Sequence, residues 1–198
     1  MEEIVLATGN AGKVDEMAHL LEKLDIRVHA QSEFAVPSVK ETGLTFVENA
    51  ILKARNAAAA SGLPAVADDS GLEVDALQGR PGIYSARFAG EGASDQANNE
   101  RLLDRLRGLD DEARTARYQC VIVMLEHERD PTPIICQGTW EGRILSRPRG
   151  KGGFGYDPLF FVPTHECSAA ELAPEEKNRI SHRGQAMYCL RRQLEGRG

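Results

Sequence analysis

The sequence predicts a mixed α/β fold, and three observations carry that prediction. Short apolar, β-rich runs such as Glu3 to Thr8 and Tyr118 to Leu125 alternate with stretches whose apolar residues recur at helical spacing. Thr and Ser stand at capping positions ahead of several helical stretches. Glycine and proline fall in clusters that punctuate these segments. With no internal repeat and no linker long enough to part independent pieces, residues 1–198 read as a single domain.

Taken in order, Glu3 to Thr8 (EIVLAT) is a short buried strand. The glycine turn Thr8-Gly9-Asn10-Ala11-Gly12-Lys13 follows, and then Val14, Met17, Ala18, Leu20, Leu21 and Leu24 recur as the apolar stripe of a helix. Arg27 to Gln31 is a second strand. Thr45 and Glu48 form a T-x-x-E capping box for a helix that stops at Gly62, with Pro64 just beyond. Ala65 to Ala67 is a strand that enters an acidic turn, Asp68-Asp69-Ser70-Gly71. Ser94 caps a helix through Leu106. Tyr118 to Leu125 is a strand, Asp130-Pro131 a turn, and Ile134 to Gly138 and Trp140 to Leu145 continue as strand. Arg147 to Pro158 is a glycine-rich loop, and Leu159 to Val162 a short buried strand. Ser168 with Glu171 makes another capping box, and Gly184 to Leu194 a last helix.

Composition excludes several function classes. With 41% hydrophobic and 27% charged residues the chain has the balance of a globular protein rather than a disordered one. A net charge of −6 gains little from displacing counterions along a polynucleotide, so no nucleic-acid surface is expected. The longest strongly apolar run, Val121 to Leu125, is too short to cross a bilayer, and no membrane partner is expected. Cys120, Cys136, Cys167 and Cys189 are widely spaced and lack a C-x-x-C, which reads as reduced thiols in a cytosolic protein.

Four motifs point to chemistry. At the first turn, backbone N–H groups at a helix start and the Lys13 ammonium suit an anion, and glycines let the backbone come close. It is neither a P-loop, because Ala7 stands where the first glycine is needed, nor a dinucleotide fingerprint. In Asp68-Asp69-Ser70-Gly71, neighbouring side chains on a strand face opposite ways, so one carboxylate faces a site while the other ties down the turn. Such a carboxylate holds Mg²⁺ beside a polyphosphate or takes a proton from water. Glu41 is a second candidate ligand, and Lys53 a group able to reach a phosphate. Gly152-Gly153-Phe154-Gly155-Tyr156-Asp157-Pro158 sets two aromatics among glycines, a platform for a flat base. Lys177 with Ser181-His182-Arg183 brings donors that read the carbonyl edge of a base. Together these fit a nucleoside triphosphate.

The motifs TGNAGK, KETGLTFVENAILKA, ADDSGLEVDAL, PGIYSARFAG, GGFGYDP and EKNRISHRGQA run in this order from Ile4 to Leu194. In this the chain resembles the inosine/xanthosine triphosphate pyrophosphatases, the bacterial dITP/XTP enzymes in particular. The resemblance implies an elongated mixed sheet with flanking helices, in two lobes around a nucleotide cleft. It implies a homodimer that hydrolyses ITP, dITP and XTP to the monophosphate and pyrophosphate with Mg²⁺. Carried over by motif, Thr8, Gly9, Asn10, Ala11, Gly12 and Lys13 hold the triphosphate, Asp69 binds metal and accepts a proton, and Ser70 contacts substrate. Phe154 stacks on the base, Gly155, Tyr156 and Asp157 shape its pocket, and Lys177, His182 and Arg183 complete its recognition. Relatives often read Glu-Glu-Thr-Gly where this chain has Lys40-Glu41-Thr42-Gly43, so the metal role passes to Glu41. A pyrophosphatase of modified pyrimidine nucleotides and a non-catalytic nucleotide sensor are the alternatives.

Overall fold

A computed structural model describes residues 3–9, 13, 14, 17 and 26–196. The fold is mixed α/β, with an eight-stranded sheet: β1 (Glu3–Leu6), β2 (Arg27–Ala30), β3 (Ala65–Val74), β4 (Arg80–Pro81), β5 (Thr115–Leu125), β6 (Ile134–Ile144), β7 (Phe160–Val162) and β8 (Cys167–Ser168). The hydrogen-bonded order is β2-β1-β3-β5-β6-β7-β8, with β4 paired to β3 off this path. β1 lies parallel to both β2 and β3, whereas β7 is antiparallel to β6 and β8, and β4 to β3. The bounded helices are α1 (Phe46–Ser61), α2 (Asp95–Arg105), α3 (Pro174–Ile180) and α4 (His182–Glu195). Lys13, Val14 and Met17 are helical; the remaining stripe residues, Ala18, Leu20, Leu21 and Leu24, lie outside the described residues. None of the helices is long and apolar enough to cross a membrane among the described residues.

The chain divides into two compact units. One comprises Met1–Asp69, Cys120–Gly138 and Gln185–Gly198. Strict alternation along its strands sorts two apolar layers. Ile4, Leu6, Val66, Cys120, Ile122 and Met124 pack with Met17, Ala186, Met187 and Leu190. Val5, Ala7, Ala65, Ala67, Val121, Val123 and Leu125 pack with Ala50, Ala54, Ala57 and Ala58 of α1. An alanine face brings that helix close to the sheet. α1 starts where the sequence predicts: Thr45 Oγ1 accepts from Glu48 N–H at 3.3 Å, and the Glu48 carboxylate accepts from Thr45 N–H at 2.9 Å. It ends at Gly62, whose φ of 71° suits a residue without a side chain.

The other unit comprises Ser70–Gln119 and Thr139–Gly184. Its core joins Leu72 and Val74 of β3 to Leu102 and Leu106, Tyr118, Trp140, Phe160 and Val162. Ser94 caps α2 as predicted, accepting from Ala97 N–H at 3.2 Å.

Two expectations are corrected. Asp68-Asp69-Ser70-Gly71 is not a turn: β3 runs through it to Val74, and each carboxylate pairs with a lysine inside the strand. The last helix starts earlier than Gly184, at His182, and a separate helix, α3, precedes it with Pro174 at its first turn. The predicted Ser168–Glu171 capping box is present and heads a 3-10 turn, Ala169–Glu171.

Candidate active site

The first unit gathers charge at one end of its parallel strands. Val5 pairs with Ala65 and Leu6 with Val66, so Thr8 and Gly9 lie beyond the carboxyl end of β1, level with the Asp68–Asp69 step of β3. Ligands of open parallel sheets bind at this end. The alternation that sends Ala65 and Ala67 toward α1 sends Asp69 the same way. There Lys53 Nζ lies 2.7 Å from Asp69 Oδ1 and 3.1 Å from Glu41 Oε1. Asn49, one helical turn before Lys53, donates to Asp69 Oδ2 at 3.5 Å, and its Oδ1 accepts from Gly43 N–H at 2.9 Å, tying down the loop that carries Glu41. Asp68 faces the other way and meets Lys13 Nζ at 2.9 Å. Lys40 is exposed, so of the two neighbours it is Glu41 that turns inward. Asn10, Ala11 and Gly12 lie outside the described residues.

Burial sets the electrostatics. Desolvation is the largest influence on the Asp69 carboxyl and raises it above the ordinary carboxylate range; the Lys53 charge and hydrogen bond oppose this and Glu41 adds to it. Desolvation also works against the Lys53 charge, but Asp69, Asp68 and Glu41 together hold its ammonium above the ordinary lysine value. Two carboxylates from separate elements thus converge on one cationic centre. Among the described residues no cluster of three or more His, Cys, Asp or Glu forms a closed metal cage. Mg²⁺ beside a polyphosphate needs only one or two protein carboxylates, the rest coming from phosphate and water. Glu41 and Asp69 fit that requirement, with the Lys53 ammonium marking where their oxygens converge.

The second unit holds the aromatic and donor set. The loop 152–158 folds around Asp157, which is buried. Its Oδ2 accepts from Phe154 N–H at 2.9 Å and from Lys177 Nζ at 2.8 Å, and its Oδ1 from the Tyr118 hydroxyl at 3.2 Å. Gly153, with φ of 72°, is required there, because a Cβ would collide with the Asp157 carboxylate. Lys177 Nζ lies 4.7 Å and the Arg183 guanidinium 5.7 Å from the Phe154 ring centre. Arg183 Nη2 donates to Ser70 Oγ at 3.0 Å. The His182 ring stacks on Tyr118, centroids 4.6 Å apart and planes within 8°, with Trp140 and Phe160 completing the apolar box. Burial, then Asp157, pushes the Tyr118 phenol well up, so it remains a donor. Gly155 is gripped from α2: its N–H donates to Asp95 Oδ2 at 2.6 Å and its carbonyl accepts from Asn99 Nδ2 at 2.9 Å. Tyr156 is buried, and its hydroxyl donates to the Ser85 carbonyl at 2.8 Å, so it shapes the loop from beneath.

The structure therefore brings Thr8, Lys13, Glu41 and Asp69 to one end of the first unit, and Ser70, Phe154, Asp157, Lys177, His182 and Arg183 into one cluster of the second. Asn49, Tyr118, Asp95 and Asn99 escaped the sequence reading, and Lys53 entered it only as a phosphate contact. Asn49 and Lys53 were detectable as the polar members of the buried alanine face of α1, spaced i, i+4. Tyr118, Asp95 and Asn99 carry no motif; only the tertiary fold brings them to the loop.

A family model of the Ham1 family matches residues 4–193. A dITP/XTP pyrophosphatase of Vibrio parahaemolyticus is 61% identical over 194 residues, covering 98% of this chain and 97% of that protein. Two solved structures share the fold. A HAM1 protein from Coxiella burnetii has a TM-score of 0.92 at 54% identity, covering 99% of this chain and 100% of that one. The Ham1 protein of Staphylococcus aureus has a TM-score of 0.89 at 45% identity, with 100% of each chain covered. With its motifs in order, its fold shared and nearly its whole length matched, the chain belongs to the Ham1 family.

Proposed function

We propose that this chain hydrolyses non-standard purine nucleoside triphosphates, ITP, dITP and XTP, to the nucleoside monophosphate and pyrophosphate, and so clears them from the nucleotide pool. The observation that carries the reading is the convergence of Glu41 and Asp69 on the Lys53 ammonium at the carboxyl end of parallel strands. The names of relatives about 60% identical over nearly the whole chain point the same way. In this reading the first unit carries the residues for the triphosphate and the second those for the base.

Asp69 and Glu41 hold Mg²⁺ in this reading; when bound, the ion neutralises phosphate charge and polarises the phosphoryl oxygens. The charge count favours a cation. Lys13 and Lys53 face Glu41, Asp68 and Asp69, two positive groups against three negative, a combination that repels a polyanion until a cation joins it. Asp69, raised by burial, takes the proton of the water that attacks the α-phosphorus. Lys13, Thr8 and the backbone of Gly9, Asn10, Ala11 and Gly12 hold the departing pyrophosphate. In the second unit Phe154 stacks on the base. Hypoxanthine and xanthine present a carbonyl at position six where adenine presents an amino group. Arg183, with Lys177 and His182, offers donors to that carbonyl, and an amino group there leaves donors facing each other. The protein works as a homodimer in the cytoplasm, with residues 1–198 as one nucleotide-hydrolysing domain.

A product assay tests this with ITP, dITP, XTP, GTP, ATP and a pyrimidine triphosphate, with and without Mg²⁺. Mg²⁺-dependent release of pyrophosphate is expected, fastest from the non-standard purines. Asp69→Asn should lower turnover about 10²–10⁴-fold while the circular dichroism spectrum is kept. Equal use of pyrimidine triphosphates, or undiminished turnover by Asp69→Asn, refutes the assignment.

A further inference from the structure

The second unit carries a basic cluster that the hydrolytic reading does not use. Arg80 of β4 and Arg101 and Arg105 of α2 line one cavity of about 110 Å³, with Leu77 and Phe88 as its apolar part. None of these residues belongs to the 152–158 loop. At ~100° of turn per residue, Arg101 and Arg105 share one flank of α2, and Asp95 and Asn99, which grip Gly155, share another about 120° away. Hydrogen bonds fix the frame of the cavity. Asn98, next to the arginine flank, accepts from Ala89 N–H at 2.8 Å and donates to the Ala86 carbonyl at 3.1 Å, pinning the stretch that carries Phe88. Arg80 is paired with Val74 across β3 and β4, and Gly79 N–H donates to the Val74 carbonyl at 3.1 Å. Leu77 and Phe88 pack against the core of the unit. The positive charge is uncompensated. All three arginines are exposed, and among the described residues none of their side chains has a hydrogen bond or an ion pair. Acidic neighbours are engaged elsewhere: Asp75 by Arg117 and Thr115, Asp104 by Arg107, and Glu100 by Gln96. Like charges gathered at one cavity repel each other, and an anion placed among them removes that repulsion.

We propose that the cavity lined by Arg80, Arg101 and Arg105 is a phosphoryl-binding site, which takes inorganic phosphate or the terminal phosphate of a small organic monoester. A guanidinium presents paired N–H donors in a planar fork that matches two phosphate oxygens, and arginine keeps its charge at any physiological pH. A dianion answers the cluster better than chloride, which carries one charge and no fork of oxygens. The volume is far below the roughly 300–1,000 Å³ that encloses a whole small-molecule ligand, so the site holds a phosphoryl group and leaves the rest of an ester outside, along Leu77 and Phe88. The site stands apart from the carboxylate and lysine cluster assigned to the triphosphate: it has no acidic member and asks for no metal ion.

Backbone amide shifts of the full-length, ¹⁵N-labelled protein read the site directly. The protein is titrated in EDTA with inorganic phosphate, with glycerol 3-phosphate, and with chloride at matched ionic strength. Both phosphates should give saturable shifts at the amides of Arg80, Phe88, Arg101 and Arg105, and chloride should not. Equal affinity for the two phosphates shows that the phosphoryl group alone is read; tighter binding of the ester adds a contact with the apolar wall. Arg101→Gln and Arg105→Gln should each weaken binding about tenfold or more, as loss of a charge-assisted hydrogen bond does. Arg105→Lys, which keeps the charge and loses the fork, should fall between the native protein and Arg105→Gln. All these side chains are exposed, so the variants should melt as the native protein does. Lys13→Gln, at the other charged cluster, should leave the shifts unchanged. Shifts that never saturate or that chloride reproduces, saturable shifts confined to other residues, or undiminished affinity in the Arg101→Gln/Arg105→Gln double variant overturn the proposal. So does a double variant that loses self-association in sedimentation when the native protein binds no phosphate, because the cavity then receives an acidic side chain of a second copy. None of these outcomes depends on hydrolytic activity.

Discussion

At Asp69 two opposing influences meet: burial favours the protonated carboxyl, and Lys53 favours the ionised one. With Asp69 as the proposed proton acceptor, a group that must be ionised to work, turnover should fall as the pH drops through the Asp69 value. Replacing Lys53 by methionine keeps the chain length and removes the only one of these charges supplied by α1. The carboxyl then rises further, and the acid limb of the pH profile of kcat/KM should move to higher pH. Turnover at neutral pH should also fall about 100-fold, since the charge that pairs with Asp69 and Glu41 at the proposed triphosphate end goes with it. An unmoved acid limb would assign that limb to another group. Asp69 was legible in the sequence because Asp-Asp-Ser-Gly follows a strand-like run. Its partner was not, because Lys53 is one of many helical lysines and only the alanine face of α1 distinguishes it.

Among elements, the 152–158 loop owes its shape to helices rather than to its own residues. α3 contributes Lys177 to the buried Asp157 carboxylate, and α2 contributes Asp95 and Asn99 to the two sides of Gly155. Asp157→Ala strands a buried ammonium and releases Phe154 N–H and the Tyr118 hydroxyl, and should cost about 3–5 kcal/mol in denaturant unfolding. Adding Lys177→Met to that variant should restore part of the loss, because a methionine at that depth needs no partner; a double variant no more stable than the single one would deny the pair its structural role. The capping boxes at Thr45 and Ser168 were readable because a cap needs only neighbours in sequence. α3 and the two-residue strands β4 and β8 were not, because short elements gain little from their own hydrogen bonds and form where tertiary contacts hold them. The path of β3 through Asp68–Gly71 was hidden for the same reason. Turn-forming composition prevails in a peptide, but here lysines distant in sequence neutralise the carboxylates and let the strand continue.

At the scale of the whole molecule, neither compact unit is made from one continuous stretch of chain, and the chain passes between them inside β3, β5, β6 and α4. This agrees with the absence of any linker in the sequence. The first unit depends on the last residues for Ala186, Met187 and Leu190, which are buried against Ile4, Leu6 and Val66. Deleting residues 185–198 should expose that layer at a cost of several kcal/mol, a large fraction of the stability of a domain. The truncated chain should aggregate or bind a hydrophobic dye; a soluble, cooperatively melting fragment would mean the layer closes without α4. β3 holds a last consequence. Its side chains take sides by odd and even count, and that count, starting from the Val66 pairing with β1, sends Asp69 to Lys53 and Asp68 to Lys13. A single codon gained or lost between the two points would exchange the aspartates' partners while leaving every amino-acid type in place, so this stretch tolerates changes of spelling far better than changes of length.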